Sequence, residues 1–163
     1  MAKSSFSVRA FEPGDAAAFA ALNRRWIEAY FGMEDEDRRT LDAPQETILA
    51  PGGYIAIAEE DGVPIGTGAL MVADAAPGVA RWMELVKMAT DPGAQGKGVA
   101  SAIIDHLTAI ACERGAEAIW LETNDTLTAA TRLYTRKGFR ALSPEEEHPT
   151  PYSRCNLQMV LKL

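Results

Sequence analysis

The sequence predicts one α/β domain in which strands of mixed direction alternate with helices. Three observations carry that prediction. The 163-residue chain is 47% hydrophobic and 24% charged, the size and composition of an ordinary globular domain able to bury roughly 70% of its unfolded surface without disulfides or metals. Stretches of period two alternate along it with stretches of helical period. Ala118-Ile119-Trp120-Leu121 is apolar on both faces, the pattern of a central strand covered on both sides. No repeat, low-complexity tract or long linker divides the chain, so a single domain over residues 1–163 is expected.

The elements follow in order. Phe6 to Phe11 alternates apolar and polar residues as a first strand, ended by Glu12-Pro13-Gly14-Asp15, with Asp15 placed to cap the next element. From Ala16 to Tyr30, Phe19, Leu22, Trp26 and Tyr30 recur at helical spacing and form an apolar stripe. Asp42-Ala43-Pro44-Gln45-Glu46 resembles a short second helix start that ends before Pro51-Gly52-Gly53. Tyr54 to Glu59 and Pro64 to Ala73 form a hairpin about Asp61-Gly62, and a long strand runs from about Ala80 to Thr90. A glycine-rich segment, Asp91 to Gly98, leads into a helix through Arg114 that buries Val99, Ile103, Leu107, Ile110 and Ala111. Strand Ala116 to Thr123, helix Leu127 to Lys137, and strands at about Phe139 to Leu142 and Asn156 to Leu163 complete the order.

Charge and cysteine usage narrow the function. A net charge of -7 disfavours a nucleic-acid partner, whose phosphates require clustered Lys and Arg, and favours cationic ligands. No run of 18 apolar residues occurs and the start Met-Ala-Lys-Ser-Ser-Phe has no apolar signal segment, so no membrane association and a cytoplasmic location are expected. Cys112 and Cys155 lack CxxC partners or histidines at ligand spacing and are expected to be reduced, buried thiols. His106 reads as a polar residue on a helix face and His148 as a loop histidine. No Ser/His/Asp, Cys/His or metal-ligand set has supporting local motifs.

The strongest local signal is Gln95-Gly96-Lys97-Gly98-Val99-Ala100-Ser101. Consecutive amides in a glycine-rich turn, followed by the unpaired N–H groups of a helix N-terminus, bind phosphates. Gly96 and Gly98 let an anion approach the backbone, and Lys97 adds charge at the rim. A Walker A loop is excluded, because Asp91 stands where its first glycine belongs and Gly98 follows Lys97. A dinucleotide fingerprint fares little better, with Ser101 at its third glycine.

Gln95, Gly98 and Ala100 match the Gln/Arg-x-x-Gly-x-Gly/Ala signature of the GNAT superfamily of N-acetyltransferases. Glu84 to Pro92 looks like that family's fourth strand, and Ala130 to Phe139 is similar to its Ala-x-x-Leu-Tyr-x-x-x-Gly-Phe segment. The resemblance covers about Glu84 to Phe139 and implies a mixed, mostly antiparallel sheet with splayed parallel strands four and five and helices on both faces. It further implies an acetyl-CoA co-substrate, with its pantetheine along Met88, Ala89 and Thr90 and its pyrophosphate on Gln95 to Ser101. The asparagine that the family often has seven residues before its tyrosine is Leu127 here, so Asn124 is the candidate replacement.

Acetyl transfer to an amine needs a neutral amine, a polarised carbonyl and a protonated leaving thiol. An alkyl amine of pKa ~10.4 is only about 0.1% neutral at pH 7, a cost of roughly 4 kcal/mol without a base. Glu84, six residues before Thr90, stands where the resemblance implies a glutamate that accepts the amine proton; a strand carboxylate facing solvent or an arginine is the alternative. Tyr134 matches the family tyrosine that serves the departing thiolate. A strand amide near Lys87 or Met88, freed by a bulge that sequence does not place, would polarise the carbonyl. The resemblance implies that the first helices and the connection between the last strands shape the acceptor site; here those segments supply Trp26, Tyr30 and Phe31, the acidic run Glu34 to Asp37, and Tyr152 and Arg154. An aromatic wall with carboxylates suits a cationic amine, and Arg154 suits a carboxylate on the same substrate; Trp26 as core and Glu34 to Asp37 as a solvated turn are the alternatives. A small-molecule amine N-acetyltransferase is therefore expected, with protein N-terminal or lysine acetylation and a non-catalytic acyl-CoA module as alternatives. The resemblance also allows a homodimer.

Overall fold

The computed structural model describes residues 6–72 and 81–163. The ends of two expected strands, at Ala73 and Ala80, lie outside the described residues. Among the described residues seven strands form one sheet: β1 Phe6–Ala10, β2 Tyr54–Glu60, β3 Val63–Val72, β4 Trp82–Thr90, β5 Ala118–Thr123, β6 Arg140–Ala141 and β7 Leu157–Lys162. Their order is β1-β2-β3-β4-β5-β7-β6. Every neighbouring pair is antiparallel except β4 and β5. The β2–β3 hairpin turns on Asp61 and Gly62, at φ +53° and +77°, the left-handed pair that a tight two-residue turn demands.

Four α-helices among the described residues flank the sheet: α1 Ala16–Tyr30, α2 Asp35–Asp42, α3 Val99–Glu113 and α4 Thr128–Arg136. On one face α3 places Val99, Ile103, Ile104, Leu107 and Ala111 against Leu70, Leu85, Ile119 and Leu121, with Tyr134 of α4 in the same cluster. On the other face α1 and α2 contribute Phe19, Ile27 and Leu41 to a second cluster with Ile55, Ile57 and Ala69. The approach of α3 to β3 is close enough that a Cβ at Gly68 would stand 2.8 Å from Ile103 Cγ2 and 2.5 Å from Met88 Sδ.

Several local expectations are corrected. The Asp15 side chain does not cap α1. It turns back to accept from the Glu12 N–H at 2.8 Å and from the Arg9 guanidinium at 2.7 and 3.0 Å. The buried line of α1 is Phe19, Asn23 and Ile27, one residue round from the expected stripe, which leaves Tyr30 53% exposed. The acidic run at Glu34 to Asp37 is no turn but the start of α2, closed by a reciprocal capping box between Glu34 and Asp37. Asp42 ends α2, and one π-helical turn, Gln45–Leu49, stands where a second helix was expected to start. Cys112 is exposed rather than buried, because it lies on the outer side of α3. His148 lies in a loop as expected, and packs on Trp120 and Trp82, ring centroids 5.0 and 6.1 Å apart, over a small third core cluster.

Two features of the sheet position the site. β4 and β5 pair only from Trp82 with Ala118 to Leu85 with Leu121, although β4 continues to Thr90 and β5 to Thr123. Beyond Leu85 the strands separate and leave facing backbone edges. The second feature is a bulge on β4. Ala69 pairs with Val86 and Thr67 with Ala89, so Lys87 and Met88 together oppose Gly68, and Lys87 takes φ +55°. A bulge of this kind removes one residue from the ladder and re-aims side chains.

Candidate active site

Two cavities open where β4 and β5 part. The larger, about 730 Å³, is lined by Met88, Ala89 and Thr90, by Gln95, Gly96, Gly98, Val99, Ala100 and Ser101, and by the start of α4. The smaller, about 90 Å³, is lined among others by Glu84, Lys87, Glu122, Tyr152, Arg154 and Cys155. Trp26, Phe31, Met88, Thr123, Leu127 and Tyr134 border both. The bulged strand and the Tyr134 ring therefore stand at the junction.

The larger cavity gathers most of the residues expected to hold a cofactor. Gly96 and Gly98 each have φ +81°, which an L side chain rarely adopts, and a Cβ on either would meet no protein atom within 4 Å. That open space lies before the N-terminus of the 15-residue α3, whose first-turn N–H groups have no partner inside the helix. Two expected members do not line this cavity. Lys97 Nζ lies 3.7 Å from a Glu60 oxygen. Asn124 borders only the smaller cavity and is engaged within the protein: its Nδ2 donates to the Arg154 carbonyl at 2.7 Å, and its Oδ1 accepts from Thr126 N and Oγ1 at 2.9 and 2.6 Å. Leu127 borders both cavities, so no side-chain amide takes the position seven residues before Tyr134.

The smaller cavity is a carboxylate site under strong burial. Burial pushes the Glu84 carboxyl up to about 8; neighbouring Glu122 adds to the rise, and Lys87 opposes it. Glu122, which sequence reading passed over, is itself raised by burial, although Gln158 Nε2 donates to its Oε1 at 2.9 Å. Two such carboxyls titrate as a coupled pair, the first ionisation hindering the second. The signal was a single charge in an otherwise apolar strand, Ala-Ile-Trp-Leu-Glu-Thr. Burial raises the Tyr134 phenol to about 12 and the Cys155 thiol to about 12. At neutral pH the first is a hydrogen-bond donor and the second an unreactive thiol. Asn23 also borders this cavity. Its Nδ2 donates to Phe19 O at 3.0 Å, while its buried Oδ1 has no partner among the described residues.

The acceptor-side expectations divide. Trp26 stands at the junction, its ring centroid 5.1 Å from that of Tyr30 and 6.4 Å from that of Phe31. Tyr30 lines only the larger cavity. Arg154 is not a free cation awaiting a substrate carboxylate. It donates to both Asp37 oxygens at 2.6 and 2.7 Å and to Glu34 at 3.2 Å, with its guanidinium 4.5 Å from the Tyr152 ring centroid. Asp37, part of the expected solvated turn, has a fully buried side chain. Burial alone would raise its carboxyl, but hydrogen bonds from Arg154 and Lys87 outweigh that and hold it at about 2.

Comparison with known proteins bears on the same residues. The model of the acetyltransferase (GNAT) family matches residues 6–139. A mycothiol acetyltransferase of Sanguibacter keddieii is 32% identical over 154 residues, 89% of this chain and 47% of that protein. An uncharacterised N-acetyltransferase of Mycobacterium bovis is 33% identical over 95 residues, 58% of each chain. The chain thus spans about half the length of the curated relatives it matches. Among solved structures, a GNAT-family acetyltransferase of Staphylococcus aureus superposes with a TM-score of 0.85 at 17% identity, covering 96% of this chain and 98% of that one. A Salmonella typhimurium protein solved with its cofactor acetyl-CoA gives 0.78 at 19%, covering 98% and 94%. At those identities the likeness is one of fold.

Proposed function

The chain belongs to the GNAT family of acetyltransferases, and from that premise we propose that it transfers the acetyl group of acetyl-CoA to a primary amine of a small molecule. The observation that carries the proposal is the meeting of the two cavities at Met88 and Tyr134, with Glu84 and Glu122 on the smaller side.

The larger cavity suits acetyl-CoA on chemical grounds. The separated edges of β4 and β5 offer backbone donors and acceptors to an extended amide chain, which can lie between them like an added strand. Gly96, Gly98 and the first turn of α3 offer amides and a positive helix end to a pyrophosphate. Acetyl-CoA supplies the activated acyl group; the chain's own residues do the rest. An amide released by the bulge at Lys87 and Met88 donates to the acetyl oxygen as charge develops there. Glu84, with its pKa near 8, takes the proton from an ammonium that binds in the smaller cavity, where Glu122 shares the negative charge. Tyr134 donates its phenolic hydrogen bond to the leaving sulfur; with a pKa of about 12 it stabilises a thiolate better than it protonates one. The small volume of the amine-side cavity admits the reacting end of a substrate, and the mycothiol acetyltransferase relatives support a small-molecule acceptor.

The test is thiol release on mixing acetyl-CoA with a panel of amines, amino-acid derivatives and peptides, with the acetylated product identified by mass. Turnover with free small amines supports the proposal. Turnover confined to peptides replaces the acceptor class, and acetyl-CoA binding without turnover on any amine leaves an acyl-CoA-binding module.

A further inference from the structure

At the bulge on β4 one side chain points where the alternation of the strand would not send it. Along a strand successive residues face opposite sides of the sheet, and Val86 packs with the α1 and α2 cluster. Lys87 should therefore point towards α3. Instead its Nζ reaches Asp37 of α2 at 2.6 Å, on the same side as Val86, and lies 3.2 Å from the Tyr152 hydroxyl. The positive φ at Lys87 is what breaks the alternation. Both charged side chains are out of solvent, Lys87 4% exposed and Asp37 fully buried. Asp37 is itself anchored by the Glu34 N–H at 3.0 Å and by the Arg154 guanidinium.

A lysine in the left-handed region is unfavourable, because its Cβ crowds the following carbonyl. Nothing in the residue type favours that conformation, so something outside the strand must hold it. A buried ion pair can do so, since releasing Lys87 to the extended conformation would swing its ammonium away and leave one partner of Asp37 missing in a low-dielectric interior. We propose that the Asp37–Lys87 pair is a positioning device, which locks β4 in its bulge and so keeps the released strand amide aimed at the junction of the two cavities. The role rests on the reading that this amide receives the acetyl oxygen. It makes Asp37 and the Lys87 ammonium positioning groups that act through the backbone of β4, although Lys87 also lines the smaller cavity.

Two substitutions at one position separate this role from its rivals. Lys87→Met removes the ammonium but keeps a side chain for which φ +55° is strained. Lys87→Gly removes the same ammonium and needs no support at that φ. Both leave Asp37 paired with Arg154; Asp37→Asn, by contrast, would leave two buried cations facing one another. The expected result is a kcat loss of about 10²-fold for Lys87→Met, the scale of a misplaced oxyanion donor, with acetyl-CoA affinity changed less than threefold. Lys87→Gly should regain at least tenfold of that loss. Equal losses in the two variants would mean that the ammonium acts directly, and no loss in either would mean that the bulge needs no lock; each overturns the proposal. Backbone chemical shifts at residue 87 give a readout independent of turnover. They should stay left-handed in the parent and in Lys87→Gly and become extended in Lys87→Met, and a Lys87→Met variant that keeps the left-handed signature refutes the lock. If the parent acetylates no amine, the proposed function fails, while these shifts still decide whether the ion pair holds the bulge.

Discussion

Tyr134 and Glu84 carry the most direct tests at the scale of single residues. Tyr134→Phe keeps the ring, its edge contact with Phe139 at 5.8 Å between centroids and its packing, and removes only the hydroxyl. We expect kcat to fall ~10²-fold with acetyl-CoA affinity unchanged; an unaltered chemical step in single-turnover kinetics would make the tyrosine a packing residue. For Glu84, a pKa near 8 means that only about a tenth of the carboxyl is ionised at pH 7. The parent's kcat/KM should therefore climb with pH up to about 8, and Glu84→Gln should lie furthest below it there, by about 10²-fold. The gap should narrow towards pH 10, where solvent supplies neutral amine. Parallel pH profiles would remove Glu84 from proton transfer. Both residues were proposed from the sequence by resemblance, Tyr134 through its motif and Glu84 through its place on the long strand six residues before Thr90. Glu122 was not, since nothing local says that a carboxylate near a strand end lines the same cavity as one on the neighbouring strand.

Elements rather than single side chains set the geometry of the larger cavity. The turn from Gln95 to Gly98 joins a β4 end released from β5 to the N-terminus of α3, and the left-handed conformation of Gly98 makes that junction. Gly98→Ala should cost about 1–2 kcal/mol from the conformation alone, lowering Tm by a few degrees. Its Cβ meets no protein atom but projects into the space proposed for the pyrophosphate. The affinity for acetyl-CoA should fall tenfold or more; calorimetric titration showing equal affinity would move the anion elsewhere. Period and turn residues predicted α1, the hairpin, α3 and α4 closely. They failed at α2 because four acidic residues in a row, Glu34 to Asp37, carry no apolar stripe. What makes a helix there is the capping box together with contacts reaching 50 and 117 residues along the chain, to Lys87 and Arg154.

The stability of the whole molecule should depend on pH in two opposed ways. Glu84 is held above its ordinary 4.5, so the stability linked to its protonated form is complete below pH 4.5 and is lost as pH rises through about 8. Asp37 is held at about 2, below its ordinary 3.8, so its ion pairs contribute fully above pH 3.8 and are lost as pH falls through 2. We expect Tm to peak on the acid side of neutrality and to decline between pH 5 and 9, and Glu84→Gln to flatten that decline. Thermal melts of the two proteins that run parallel over this range would show that Glu84 is not buried as described. The order of the strands, the helices other than α2, the Asp61-Gly62 turn and the glycine-rich approach to α3 follow from the sequence by itself, because periodicity and turn chemistry act over a few residues, and Tyr134 was singled out by its resemblance to a family motif. The β4 bulge, the coupled carboxyls Glu84 and Glu122, and the conversion of Asp37 and Arg154 from surface charges into a buried junction were decided only by the tertiary structure. An ionic group changes its chemistry when packing removes its water, and the residues that exclude water around Asp37 come from three separate parts of the chain.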